Sequence, residues 1–305
     1  MSTERPPTID PIAADRWATL RPQHSDSPWL HEEVARRMEE RLQWIVQKPQ
    51  QWVHWGALRG GMQAQALIRK RYPDSGCYVI ESTVERSMLA SKYIAKPWWN
   101  PMGWRGSEVR FEAPELPVQM LWANMALHTA ADPMALIAEW HRLIAVGGFA
   151  MFSCMGPDTL RELRTVYARM GWPLPGHEFT DMHDWGDMLV QAGFAEPVMD
   201  MERITLTYSS PESLLAELRS LGRNLHPARF AGLRSRAWLQ RLHLALAEGL
   251  ASPAGDGRLQ VTFEVVYGHA FKPVPRLAMK TETSVSLDQM RSVLRHGPAS
   301  SKSGT

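Results

Sequence analysis

The chain has 305 residues, 44% of them hydrophobic, and a formal charge of +2. That supplies a sizeable core, and the charge is too small for a nucleic-acid binder. No apolar run is long enough to cross a bilayer. The two cysteines, Cys77 and Cys154, fall in apolar strand-like segments. They suit buried thiols in a reducing cytoplasm better than a disulfide.

Met1 to Gln23 reads as irregular, and its polar start, Met1 to Pro11, has no signal-peptide pattern. From Pro28 to Trp44 an apolar stripe of Leu30, Val34, Met38 and Leu42 predicts an amphipathic helix. Gln51–Trp55 is a predicted strand that runs through Gly56, Gly60 and Gly61 into a helix over Met62–Tyr72. Pro73–Gly76 is a turn, Cys77–Ile80 a second strand with Glu81 at its end, and Glu85–Tyr93 a helix. Trp98–Gly106 reads as a loop, and Val109–Phe111 as a weak strand.

The clearest unit runs from Val118 to Cys154. Val118–Trp122 is a short apolar strand followed by Asn124. Asp132-Pro133 opens a helix, with Asp as N-cap and Pro at the first helical position. Leu136, Ile137, Trp140, Leu143 and Ile144 line one face, and Gly147-Gly148 closes the helix before a strand over Phe149–Cys154. Strand, helix and strand of these lengths form a right-handed parallel crossover.

Beyond it, Asp158–Met170 is helical, Thr180 caps a helix ending at Gly193, and Met201–Tyr208 alternates like a strand. Helices from Ser210-Pro211 to Gly222 and from Leu233 to Leu250 precede a last strand, Leu259–Tyr267. The fold class is α/β, a doubly wound Rossmann-like mixed sheet with an N-terminal helix and a helical cap insertion. Its expected divisions are an irregular 1–27, a domain at 28–275 with its cap at about 210–255, and a tail at 276–305.

A strand, a glycine-bearing turn, a helix and a strand ending in an acid form a nucleotide-binding half-site. The glycines let backbone approach a ligand, and the carboxylate accepts from ribose hydroxyls. Gly60 or Gly61 to Glu81 has the separation that geometry needs. These residues alone leave open an ordinary turn with no ligand. Histidines 177 and 183 lack supporting ligands at metal-site spacing, so no metal is expected.

Four segments carry a resemblance: Leu121–His128, Phe152–Leu160, Phe179-Thr180-Asp181 and Val265–Ala270. Through them the chain resembles class I S-adenosylmethionine-dependent methyltransferases, and more narrowly the malonyl-acyl-carrier-protein O-methyltransferases of biotin synthesis. The resemblance implies S-adenosyl-L-methionine as cofactor. It places Gly56 and Gly60 as the first and last glycines of the cofactor loop, beside the cofactor-binding candidate Gly61, and Glu81 on the ribose. Glu112 and Ala113 fall where the adenine is read, and Asn124 beside the methyl donor. His128, Tyr267 and His269 become pocket candidates.

Two residues depart from the pattern. His54 stands where the family has an acid supporting the methionine end of the cofactor, and Leu58 replaces the middle glycine. The departures leave open a non-catalytic relative that binds an acidic partner, and also a methyltransferase with another substrate. If the loop is degenerate, His54→Asp with Leu58→Gly should tighten cofactor binding.

Between Glu217 and Glu248 there is no acid, while Arg219, Arg223, Arg229, Arg234, Arg236 and Arg241 all occur there. Such a run is either a solvated helix face or a surface for an acidic partner. The resemblance implies malonyl-loaded acyl carrier protein as that partner, with Arg219, Arg223 and Arg229 as candidate contacts. The small net charge and the lack of a long apolar run lead to no expected nucleic-acid or membrane partner.

Overall fold

In the computed structural model, which describes residues 9–20, 27–94 and 108–275, strands occur in chain order as follows. They are β1 (Gln51–Trp55), β2 (Gly76–Ile80), β3 (Val109–Arg110), β4 (Val118–Ala123), β5 (Ile144–Met155), β6 (Ala195–Tyr208) and β7 (Leu259–Phe271). They pair in one sheet of order β3-β2-β1-β4-β5-β7-β6. The first five are parallel, and β7 runs antiparallel between β5 and β6. All these strands belong to one compact unit, Met1–Pro273.

Central strands are buried on both faces, as their continuous apolar runs require. On one face lie α2 (Trp29–Arg41), α4 (Ala64–Arg71), α7 (Arg161–Arg169) and α10 (Arg236–Gly249), through Leu30, Met38, Ile68, Leu163 and Leu242. The other face is covered by α6 (Pro133–Leu143) and α8 (Met182–Gln191), through Ile137, Trp140, Trp185 and Leu189. Helices on both faces of a mostly parallel sheet confirm the doubly wound reading. Between β1 and α4 lies a single helical turn, α3 (Ala57–Gly60). After β2 comes α5 (Val84–Ile94), and α9 (Pro211–Leu221) joins α10 between β6 and β7.

Several boundaries differ from the sequence reading, among them β6, which starts at Ala195, and β7, which runs on to Phe271; three differences have structural consequences. The Asp132 carboxylate does accept from the Ala135 N–H at 2.9 Å, but α6 stops at Leu143. Ile144 already pairs with Val118, so Gly147-Gly148 lies within β5. A Cβ on Gly148 would meet the Gln119 carbonyl at 2.7 Å, so close strand approach demands that glycine. The cap of α8 is Asp181 rather than Thr180.

The third difference is the most consequential. Inside the supposedly irregular N-terminus lies α1 (Pro11–Thr19), with Asp10 accepting from the N–H groups of Ile12 and Ala13. Asp10-Pro11 is the same N-cap and N1 pair that was legible at Asp132-Pro133. The predicted loop at Trp98–Gly106 and the tail from 276 onward lie outside the described residues.

Candidate active site

Parallel pairing aligns the carboxyl ends of β2, β1 and β4: Trp55 sits opposite Ile80, and His54 opposite Trp122. The residues that follow those strands, Gly56, Glu81 and Asn124, therefore meet at one rim. They line a cavity of about 440 Å³. Gly56 adopts φ +65°, a left-handed conformation that side chains resist, and the place of its missing Cβ is open space. Its N–H is held by the Ile80 carbonyl, and its own carbonyl accepts from Gly60 N–H at 2.9 Å.

Glu81 is held from two sides. Leu58 N–H donates to Oε1 at 2.8 Å, and Arg86 donates to Oε2 through Nε at 3.0 Å. This ion pair is almost wholly enclosed, with side chains 1% and 5% exposed. Burial raises the Glu81 carboxyl above its ordinary value, and Arg86 opposes that shift. Two donors do not exhaust a carboxylate's lone pairs, so Glu81 retains room for a hydroxyl.

Asn124 ties three elements together. Its amide donates to the His31 carbonyl at 2.8 Å and to the Gly60 carbonyl, and its oxygen accepts from Ser153. A Cβ on Gly60 would lie 2.7 Å from the Asn124 carbonyl, so only glycine lets the turn sit this close to β4.

The roof of the cavity comes from α1. Trp17 stacks under the Arg59 guanidinium at 3.6 Å, and Arg223 from the cap approaches the same ring at 5.2 Å. Arg59 also donates to the Leu20 carbonyl. Burial lowers its pKa to about 9, helped by the neighbouring Arg86, so it stays charged at neutral pH.

A second cavity of about 270 Å³ lies beneath α9, and shares Thr129 and Leu221 with the first. Its walls are largely apolar, including Leu163, Tyr167, Phe179 and Phe263, with Arg219 and Arg223 among its lining. His128 and His177 line it too. His177 Nε2 donates to the His128 carbonyl at 3.0 Å, and burial holds both rings neutral.

The chain is 39% identical over 256 residues to the malonyl-[acyl-carrier protein] O-methyltransferase of Gallionella capsiferriformans, covering 81% of this chain and 86% of that protein. It is 37% identical over 287 residues to the Laribacter hongkongensis enzyme of the same name, covering 88% and 91%. The chain belongs to the malonyl-acyl-carrier-protein O-methyltransferase family. No model of a known protein family matches it. Among solved structures, a candidate methyltransferase from Bacillus halodurans C-125 shares the fold, with TM-score 0.50 and 15% identity. That likeness spans 79% of this chain and 100% of the other.

As a member of this methyltransferase family, the chain uses S-adenosylmethionine. The first cavity fits such a nucleoside: Gly56 leaves a cradle without a side chain, and Glu81 offers an acceptor at the tip of β2. The two departures from the family pattern face away from that cavity. Leu58 is 4% exposed and packs in the main core, donating only its backbone N–H toward the site. His54 is fully buried, and its Nδ1 accepts from Gln65 at 3.3 Å. Burial drops its pKa to about 3, so it is a neutral structural residue.

Other predicted residues are placed elsewhere. Glu112 and Ala113 are exposed after β3 and do not line either cavity. Tyr267 lies in the interior of β7, beneath Arg41 at 3.7 Å and bonded to Glu202, because its strand register points it toward α2. His269 sits further along β7 against Phe271. Arg229 is engaged by Asp10 at 2.5 Å and anchors α1 to the cap. Sequence reasoning missed Trp17, His31, Arg59 and Arg86, which only the folded chain gathers at the strand tips. For Trp17 the Asp10-Pro11 cap was a readable signal.

Proposed function

We propose that the chain transfers a methyl group from S-adenosylmethionine to the free carboxylate of a malonyl thioester on acyl carrier protein, a step of biotin synthesis. The observation that carries this reading is the junction of two unlike cavities at Thr129 and Leu221. One has the acid and glycine turn for a nucleoside, and the other is an apolar chamber with arginines for a charged acyl arm. When bound, the cofactor supplies a methyl group activated by a positively charged sulfur.

The chain's own contribution is placement. Glu81 and the Gly56 turn hold the nucleoside, while α1 and Trp17 shield it from water. A malonyl carboxylate is already ionised at neutral pH, so the reaction needs no general base. The neutral histidines enclosed at the second cavity agree with catalysis by alignment and desolvation. Arg219 and Arg223 are suited to a phosphate or carboxylate on the arm, since a planar guanidinium donates in pairs. Exposed Arg236 and Arg241 on α10 extend that positive surface outward, toward an acidic carrier protein. Such a role belongs in the cytoplasm, where the buried thiols Cys77 and Cys154 stay reduced.

Incubation with malonyl-acyl carrier protein and S-adenosylmethionine tests the proposal, with intact-mass spectrometry of the carrier as readout. A gain of one methyl group, lost again on mild ester hydrolysis, is the expected result. An unmodified carrier beside a consumed cofactor would point to another substrate.

A further inference from the structure

His31, on the first turns of α2, lines the cofactor cavity and is 3% exposed. Its Nδ1 lies 2.6 Å from the Arg59 carbonyl. A carbonyl can only accept, so Nδ1 carries the ring proton. Burial lowers the imidazole to about 4, which leaves the ring neutral at pH 7 and Nε2 a bare acceptor. That atom is buried and has no partner among the described residues.

The ring cannot swing away to find one. The carbonyl of His31 accepts from Asn124, and its Nδ1 proton is held by the glycine turn. An unpaired buried acceptor beside a ligand cavity is a costly arrangement unless the ligand completes it. The end of β1, where the family places an acid for the cofactor's amino-acid end, offers none here, because His54 is enclosed and bonded to Gln65.

We propose that His31 Nε2 accepts a hydrogen bond from the α-ammonium group of bound S-adenosylmethionine, replacing the acid that β1 lacks. This rests on the cofactor reading above. Position selects the ammonium among the ligand's donors. Glu81 takes the ribose hydroxyls at the tip of β2, whereas His31 stands on the other side, between Gly60 and Asn124. An ammonium donating to imidazole makes a charge-assisted bond, and a neutral acceptor adds no charge beside Arg59.

Calorimetric titration with S-adenosylhomocysteine and with 5′-methylthioadenosine tests this, since the second nucleoside lacks the amino-acid end. His31→Asn keeps an N–H for the Arg59 carbonyl but places nothing at Nε2. It should weaken S-adenosylhomocysteine about tenfold, the loss of one charged hydrogen bond, and leave methylthioadenosine unchanged. His31→Gln, whose amide oxygen reaches about as far as Nε2, should recover most of the affinity. Equal weakening of both nucleosides, or of neither, would overturn the assignment and leave the cofactor site standing. A wild-type chain that binds neither nucleoside would remove the cofactor reading itself, and the role of His31 with it.

Discussion

The two cavities that meet at Thr129 differ in what holds their walls, although each contains a histidine nitrogen without a partner among the described residues. In the first, Glu81, Arg86 and Asn124 are each held by named partners on other elements, so the rim is rigid before any ligand arrives. In the second, the Nδ1 atoms of His128 and His177 are buried without partners among the described residues, inside mostly apolar walls. A site built at parallel strand tips is fixed by the register of the sheet. A site built under a cap depends on how α9 and its following loop lie across the core. On the proposed function, the first suits a constant cofactor and the second a variable acyl group.

The severest way to break this contrast is the change that the family pattern invites. His54→Asp with Leu58→Gly should not tighten cofactor binding, since both side chains lie in the core rather than in the cavity. A carboxylate at the enclosed position 54 and a void at 58 should cost roughly 5 kcal/mol or more in denaturant unfolding. A folded double variant with tighter binding would sink the rigid-rim account.

Arg86→Ala comes next. It leaves Glu81 buried without its cation, with an expected loss of about 3–5 kcal/mol at neutral pH. The sign of the pH dependence follows from the raised Glu81 carboxyl. Between the ordinary carboxyl value and the raised one, the native state holds a proton that the unfolded chain has released. Stability of the variant should therefore recover as pH falls through that window, and an unchanged deficit in the acid range would contradict it.

Gly60→Ala should cost about 1–3 kcal/mol, because the added methyl collides with the Asn124 carbonyl and the turn must shift. Paired thermal melts and S-adenosylhomocysteine titrations would check that binding weakens along with stability. The mildest change is on the cap. Arg236→Glu with Arg241→Glu should leave the melting temperature alone, as both are exposed, and weaken carrier-protein binding several-fold at low salt only. Charge reversal at Arg229 is a poorer probe, since it also breaks the Asp10 contact that anchors α1.

Much of the frame was legible because its signals are local. The β4–α6–β5 crossover, the Ser210 cap of α9 and the turn into Glu81 follow from periodicity, caps and glycines. What was misread depended on partners far away in sequence. Gly147-Gly148 looks like a helix end until β4 is seen pressing against it. Tyr267 and His269 look like strand-end pocket residues until β7 proves to run on to Phe271. Arg229 reads as free charge until Asp10, 219 residues earlier, closes on it.

Sequence by itself determined the doubly wound sheet, the glycine turn and the acid that follows β2, because strand periods and turn chemistry act over a few residues. Tertiary structure alone decided which side chains face the first cavity. Leu58 and His54 turn inward while His31, Trp17, Arg59 and Arg86 converge from four helices. Burial and pairing set those directions, and they depend on neighbours that only the folded chain supplies.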